Sequence, residues 1–144
     1  MYKRQINSRT KGAGFERLMV KKINQYLEAG NYADRVKRNL DQSYVKGLAD
    51  IYLGDFAIEC KRYGKSNTGC YRNAWWEQVT NSASDKFIPI LIYKFDRRKI
   101  MCVVPMWLVT NNAPRDNDMV YMCPLEELCK KFNQVMAKGN VYPI

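Results

Sequence analysis

Histidine is absent from this chain of 144 residues. The absence excludes every mechanism that depends on an imidazole base, which removes Ser-His-Asp hydrolases, Cys-His proteases and histidine-based ribonucleases. Zinc sites that combine cysteine with histidine ligands are excluded as well. Any catalysis is therefore expected to depend on carboxylates, lysine and a metal ion.

Paired cysteines and long apolar segments are missing as well. The five cysteines are odd in number and include no CxxC pair, so we predict buried free thiols in a reducing compartment. The longest apolar runs, such as residues 88–93, fall far short of the roughly 20 residues that span a bilayer. The basic N-terminus is not followed by the apolar segment of a signal peptide. We expect a cytoplasmic protein, of a cell or of a virus-infected host cell, with no membrane partner.

Acidic residues are few relative to basic ones. The chain has 24 lysines and arginines against 14 aspartates and glutamates, a formal net charge of +10. The net charge is +6 in residues 1–50, +4 in residues 51–100 and zero in residues 101–144. This distribution favours a polyanionic partner, DNA, bound by the first two thirds of the chain. For charge alone, a generally basic solvated surface remains an equal alternative.

The spacing of apolar residues predicts the element order α-β-β-α-β-β-α, a single α/β domain with helices around a central mixed sheet. Residues 1–12 are predicted to form a flexible basic arm, and residues 13–144 the domain. Helices are expected from Gly14 to a stop at Gly30, over about 72–83, and from Pro124 onward. Further strands are expected at 87–95 and 99–104, with a short strand near 35–38 and a loop at 111–118.

The segment 51–61 reads as two strands joined by Gly54-Asp55, a hairpin turn with glycine in the first position. In this register Asp50 lies opposite Glu59, and directly opposed side chains share a face with Cβ atoms about 4.5–5.5 Å apart. Lys61 follows Glu59 by two positions and lies on the same face. The sequence therefore predicts two opposed carboxylates with an ammonium group beside them.

Two like charges across a strand ladder destabilise a sheet, so the pair Asp50 and Glu59 calls for a cation. Two carboxylates, waters and a phosphate oxygen suit the octahedral shell of Mg²⁺, for which Mn²⁺ is expected to substitute. A bound metal lowers the pKa of water, and Lys61 can position that water or neutralise developing charge. The alternative is an exposed Glu59–Lys61 pair on an edge strand, with Asp50 merely starting the other strand. That alternative is favoured for so short a pattern alone. The hairpin geometry, the charge and the lack of histidine favour the metal site.

Four segments in order resemble the archaeal-type Holliday-junction resolvases of the PD-(D/E)xK nuclease superfamily: 9–17 (RTKGAGFER), Ala49-Asp50, Glu59-Cys60-Lys61 and Trp76-Glu77-Gln78. The similarity runs from about residue 9 to residue 105, and the last helix has a counterpart. It implies a restriction-endonuclease-like fold and a homodimer in which each subunit nicks one strand of a four-way DNA junction. Ala49 replaces the proline of the motif name, and the loop 64–69 does not resemble the family.

The resemblance implies roles for the matching residues of the site. Asp50, Glu59 and the backbone carbonyl of Cys60 match the metal ligands, and Lys61 matches the catalytic lysine. Glu16 matches a first-helix glutamate that assists the metal site. Without the resemblance, Glu16 would read as an ordinary first-turn glutamate favoured by the helix dipole.

Further residues are predicted around this site. The resemblance implies that Gln78 is a second-helix glutamine near the metal, with the alternative of an ordinary helix-surface residue. It also implies that Arg17 contacts DNA and that Ser43 lies on a loop reaching the scissile strand. The basic stretch near residue 36 is either solvated or in contact with phosphates, and the net charge favours contact. The full set of predicted DNA-binding residues is Lys11, Arg17, Arg35, Lys37, Arg38, Ser43 and Arg62.

The sequence thus predicts a Mg²⁺-dependent endonuclease of DNA recombination, a phage-encoded Holliday-junction resolvase that makes paired nicks. One alternative is a restriction-like or nicking nuclease of the same superfamily that acts on linear DNA. Another is a non-catalytic basic DNA-binding module in which the acidic pair is vestigial. For the dimer surface we consider Trp75 or Trp76 with parts of 87–95 or 99–104, against the alternative that both tryptophans are core.

Overall fold

A five-stranded mixed sheet forms the centre of the protein, for which a computed structural model describes residues 8–43 and 45–144. The strand order is β1-β2-β3-β4-β5; β2 and β3 are parallel and the other neighbours antiparallel. This confirms the predicted α/β domain with a mixed sheet. The strands are β1 (Ile51–Leu53), β2 (Phe56–Arg62), β3 (Ile88–Lys94), β4 (Met101–Pro105) and β5 (Val120–Pro124).

Helices cover both faces of the sheet. Helix α1 (Ser8–Ala29) packs on one face, where Phe15, Met19 and Leu27 join the largest apolar cluster. Helix α2 (Asn73–Ala83) connects the parallel strands β2 and β3 and packs on the other face through its buried residues Trp75, Val79 and Ala83. Because side chains alternate along a strand, Ile58 and Cys60 of β2 enter the α1 cluster while the residue between them points to the opposite face.

The hairpin between β1 and β2 has the register that the sequence predicts. Leu53 pairs with Phe56, and two further pairs follow toward the N-terminus of β1. Gly54 has a φ of 52°, a conformation that favours glycine, and a Cβ atom there would overlap the Gly139 carbonyl. The Asp55 N–H donates to that same carbonyl at 2.9 Å, so the C-terminal segment anchors the turn. The turn thereby sets which residues face each other at the far end of the hairpin.

Two predictions for the N-terminal third are wrong. Helix α1 begins at Ser8, so residues 8–12 belong to a helix and not to an arm; residues 1–7 lie outside the described part. No strand forms at 35–38, because the backbone of Val36 bonds a side chain instead of a neighbouring strand. The Asn24 amide of α1 accepts from the Val36 N–H at 2.8 Å and donates to its carbonyl at 3.1 Å.

The C-terminal third also differs from prediction. Strand β5 follows the loop at 111–118 and ends at Pro124, which therefore closes a strand immediately before α3 (Leu125–Cys129). The single predicted last helix is two, α3 and α4 (Phe132–Lys138). At the break, the N–H groups of Lys130 and Lys131 bond carbonyls three residues back, which tightens the turn and redirects the chain. Apolar residues of both helices pack on the α1 cluster, among them Leu128, Val135 and Met136.

The cysteines are free, but they are not all buried as predicted. Cys60, Cys102 and Cys123 are buried, Cys129 is partly covered and Cys70 is exposed. Within residues 8–43 and 45–144, no helix is both long enough and apolar enough to cross a membrane.

Candidate active site

An open cavity of about 290 Å³ lies where β2 ends, between α1 and α2. It brings together all five residues predicted to form the catalytic group. The lining residues are Gly12, Glu16, Asp50, Glu59, Cys60, Lys61, Arg62, Tyr63 and Gln78. The hairpin and the two helices therefore place acidic, basic and amide groups around one space.

Asp50 is held in place from two directions. The residue is only 6% exposed, and its Oδ2 atom accepts a hydrogen bond of 2.7 Å from the Cys60 N–H. Its own carbonyl accepts from the Asn39 N–H at 2.7 Å, and the Asn39 amide donates to the Ala49 carbonyl at 3.1 Å. Sequence reasoning missed Asn39, since nothing local shows that this polar residue reaches the start of β1. The carboxylate thus has a fixed position before any ligand binds.

Glu59 is more deeply buried, at 2% exposure. Its Oε1 atom is buried and finds no hydrogen-bond partner among the described residues. Burial, and secondarily the charge of Asp50, raises the pKa of Glu59 to about 9, although Lys61 acts in the opposite direction. An unpartnered buried carboxyl oxygen beside a second carboxylate is costly in its charged form unless a proton or a cation binds there.

These donors fit a hard divalent cation. Asp50 and Glu59 offer carboxylate oxygens, and the cavity also includes Cys60, whose carbonyl is the third predicted ligand. In the described ranges, no three acidic or cysteine side chains converge as a complete metal cage. Mg²⁺ does not require one, because it usually keeps several waters and binds proteins through one or two carboxylates.

The lysine of the site is hydrogen-bonded to the predicted glutamine. The Lys61 ammonium donates a hydrogen bond of 2.6 Å to the Gln78 Oε1 atom. Gln78 comes from α2 and Lys61 from the end of β2, so the contact joins the two elements across the mouth of the cavity. Gln78 is exposed on α2, and its side chain contacts the ammonium directly.

Glu16 and Arg38, predicted for different tasks, form an ion pair. The Arg38 Nε atom lies 3.5 Å from the Glu16 Oε1 atom, and the two side chains are 23% and 12% exposed. Glu16 enters the cavity from α1, while Arg38 comes from the irregular segment after it. The pairing joins residues far apart in the sequence, and no local pattern could have indicated it.

Asp96 holds two of the predicted DNA-binding residues. Its Oδ1 atom lies 2.8 Å from an Arg62 guanidinium nitrogen and 3.0 Å from the Lys11 ammonium. The hydrogen bonds from Arg62 and then Lys11 lower the pKa of Asp96 below its ordinary value. Asp96, in the β3–β4 turn, thus ties the start of α1 to the end of β2 beside the cavity. Sequence reasoning assigned it only to the turn.

Three of the remaining predicted DNA-binding residues are exposed. Arg17 is exposed on α1, next to Glu16. Arg35 and Lys37 are exposed and, with Arg38, line a hollow of about 390 Å³. The side chain of Ser43 lies outside the described residues, so its predicted role stays a prediction.

An aromatic wall that the sequence analysis did not identify completes one side of the cavity. Tyr63 stacks on Trp75 with ring centroids 4.8 Å apart, and the Arg72 guanidinium lies 4.8 Å from the Tyr63 centroid. Trp75 is core, and the half-buried Trp76 donates from Nε1 to the Asn117 carbonyl at 3.0 Å. Both tryptophans are thus engaged within the monomer.

The chain's relationship to known proteins agrees with this geometry. A family model described as "Phage putative PDDEXK endonuclease" matches residues 7–138, which is nearly the whole chain. The chain belongs to this family. It is therefore a phage-type PD-(D/E)xK nuclease, and nucleases of that superfamily generally use divalent metals.

Among solved structures, this phage-type nuclease is similar to Hjc of Archaeoglobus fulgidus, a Holliday junction resolvase from an archaeal hyperthermophile. The two are 14% identical, the match covers 78% of this chain and 86% of the other, and the TM-score is 0.41. A comparison with curated proteins gave no match.

In this nuclease, Glu59→Gln is expected to stabilise the metal-free protein at alkaline pH. The pKa of Glu59 is raised from 4.5 to about 9, so folding favours the protonated side chain. The stability that the proton provides is present below pH 4.5 and is lost as the pH rises toward 9. Glutamine stays neutral throughout, so the variant should gain on the order of 1–3 kcal/mol near pH 8.

Thermal unfolding in EDTA, followed by circular dichroism at several pH values, measures this gain. Glu77→Gln is the matched control, because Glu77 is exposed on α2. If the unfolding temperature of Glu59→Gln and that of the wild type change in parallel between pH 5 and 9, the buried carboxylate does not destabilise the fold.

Proposed function

We propose that this nuclease is a Mg²⁺-dependent endonuclease of branched DNA, a resolvase that cuts four-way junctions as a homodimer. The observation that carries the proposal is the pair of buried carboxylates, Asp50 and Glu59, with the Lys61 ammonium in the same cavity. The Glu59 Oε1 atom has no hydrogen-bond partner in residues 8–43 and 45–144. Membership of a PD-(D/E)xK endonuclease family supports hydrolysis of phosphodiester bonds as its chemistry.

In this proposal Asp50, Glu59 and the Cys60 carbonyl hold Mg²⁺, for which Mn²⁺ substitutes. The bound ion supplies a water of lowered pKa and stabilises negative charge on the phosphate. The fixed carboxylate of Asp50 needs no reorganisation to serve as a ligand, since two hydrogen bonds already hold this residue.

The protein's own cation acts at the phosphate. Lys61 is positioned by Gln78 to orient the attacking water or to neutralise the charge that develops on the phosphate oxygens. Tyr63, stiffened by its stacking on Trp75, forms a flat wall beside this position. Arg17, Arg35 and Lys37 extend the positive surface along which a DNA strand would lie.

The proposals of a branched substrate and of a dimer are supported by the four sequence segments that resemble junction resolvases. The number of active sites that two cuts require also supports the dimer. One chain contributes one carboxylate–lysine site, so two symmetric cuts require two copies. The dimer surface predicted from Trp75, Trp76, β3 and β4 is covered within the monomer, because most of these residues are buried. Large exposed apolar residues lie instead on and beside edge strand β5, among them Met119, Tyr121 and Met122.

A supercoiled plasmid with an extruded cruciform tests the proposal. With Mg²⁺ the protein should convert it directly to linear product, while a matched plasmid without the inverted repeat stays supercoiled. EDTA should abolish both incisions. Sedimentation equilibrium at micromolar concentration should show a dimer.

The other functions that the sequence permits give different products. Equal nicking or linearisation of both plasmids would favour a nuclease of linear DNA. Accumulation of nicked cruciform by a monomer would favour a nickase. If the protein binds the plasmids but cuts neither of them in Mg²⁺ or in Mn²⁺, it is a DNA-binding module without nuclease activity.

A further inference from the structure

The ion pair between Arg38 and Glu16 lies at the boundary of two differently charged spaces. Glu16 lines the acidic cavity with Asp50 and Glu59, whereas Arg38 lines the neighbouring basic hollow with Arg35 and Lys37. The link between the two spaces is the 3.5 Å contact from the Arg38 Nε atom to the Glu16 Oε1 atom.

Arg38 is held loosely by its partner although its backbone is fixed. The next residue, Asn39, is bonded to Asp50 and to Ala49, so the chain cannot move away from the site. Yet the Arg38 Nε atom is buried without a well-formed hydrogen bond in the described part of the chain, and 3.5 Å is long for a charge-assisted contact. A guanidinium whose backbone is fixed but whose Nε atom makes only this long contact can change partner at little cost.

We propose that Arg38 is a positioning residue that acts as an exchangeable counter-ion: it neutralises Glu16 in the metal-free enzyme and moves to a backbone phosphate in the hollow when a metal binds. The inference rests on the proposed metal site. It assigns the hollow of residues 35–41 to a phosphate next to the one that is cut, and it makes metal affinity and phosphate affinity depend on each other.

The physical basis is the balance of charge around the carboxylates. Glu16 and Asp50 attract any cation, and Glu59 does so once its proton is displaced, so a metal must compete with the guanidinium that already faces Glu16. A phosphate in the hollow can accept two hydrogen bonds from the guanidinium, an interaction stronger than its long contact with Glu16. Phosphate binding therefore removes the competitor, and metal binding releases the guanidinium for the phosphate.

The decisive experiment measures Mn²⁺ binding without DNA, from the free-ion signal in electron paramagnetic resonance. Arg38→Ala should bind Mn²⁺ about fivefold to tenfold more tightly than the wild type, because the competing charge is gone. A residue with a merely structural role would weaken binding when removed. Arg38→Gln, which retains much of the side-chain packing, carries the same expectation, and both variants are checked for folding by circular dichroism. Arg38→Lys keeps the charge and should stay close to the wild type.

Lys37→Ala is the matched control. It removes one positive charge from the adjacent residue, which is exposed and lines the same hollow. Because that charge is screened by solvent, its removal should change Mn²⁺ affinity by less than about twofold. If Lys37→Ala and Arg38→Ala increase Mn²⁺ affinity equally, the effect is one of net charge alone and the proposal is overturned.

Sulfate, a tetrahedral dianion, serves as the phosphate probe at constant ionic strength. It should tighten Mn²⁺ binding to the wild type relative to Arg38→Ala, and an identical response in both would overturn the exchange. Asp50→Asn in the same titration separates this inference from the proposed function. Mn²⁺ binding that survives Asp50→Asn contradicts the metal site itself. Loss of binding in Asp50→Asn, without tightening in either folded Arg38 variant, contradicts only the counter-ion role.

Discussion

Asp50→Asn is expected to lower the rate of DNA cleavage on the order of a thousandfold or more. Asparagine offers the metal a neutral oxygen where the wild type offers a charged one, so the site loses one of its two buried negative ligands. The fold should survive, because an amide oxygen can still accept the hydrogen bond that the Cys60 N–H gives to Asp50. Single-turnover cleavage of a labelled four-way junction in Mg²⁺ measures the loss.

Binding separates this effect from unfolding. Fluorescence anisotropy in EDTA should show that Asp50→Asn binds the junction at least as tightly as the wild type, since a negative charge near the phosphates has been removed. Asp85→Asn is the control for the chemical change, because Asp85 is exposed after α2 and outside the cavity. Cleavage by Asp50→Asn at the wild-type rate would place the active site elsewhere.

The part of the site that lies within one hairpin could be predicted from the sequence. Gly54-Asp55 fixes the register by local geometry, and the observed pairs confirm it. The register places Asp50 opposite Glu59 and Lys61 beside them, and this follows without knowledge of the rest of the fold. The common face of Trp75, Val79 and Ala83 follows similarly from the helical period of α2.

The unpredicted features depend on contacts between distant segments. Asp96 binds Lys11 and Arg62 across 85 and 34 positions, and no local pattern distinguishes it from an ordinary turn residue. Strand β5 escaped prediction because its exposed residues Tyr121 and Met122 are apolar like the buried Cys123, so the segment shows no alternation of apolar and polar residues. The split of the last helix depends on how the chain turns after Cys129, where neither glycine nor proline marks a stop.

Lys61→Ala is expected to lower cleavage about a hundredfold to a thousandfold without loss of metal binding. An ammonium group donates hydrogen bonds but cannot ligate a cation, so the carboxylates keep their Mn²⁺ when the lysine is removed. Calorimetric titration with Mn²⁺ measures binding, and the junction assay measures cleavage. Lys65→Ala, an exposed lysine in the following loop, should leave both unchanged. Loss of Mn²⁺ binding in a folded Lys61→Ala variant would give the lysine a structural role.

Variants of Gln78 test the catalytic role of Lys61 more strictly, since the Gln78 Oε1 atom accepts a 2.6 Å hydrogen bond from Lys61. If Gln78 acts by orienting the ammonium, Gln78→Ala should slow cleavage by about tenfold in the wild type and have no further effect when Lys61 is already alanine. Gln78→Glu would replace the amide with a carboxylate that holds the lysine more strongly and competes with the phosphate for it, so it should be slower still. Independent, multiplicative losses in the double variant would mean that Gln78 acts on the substrate directly.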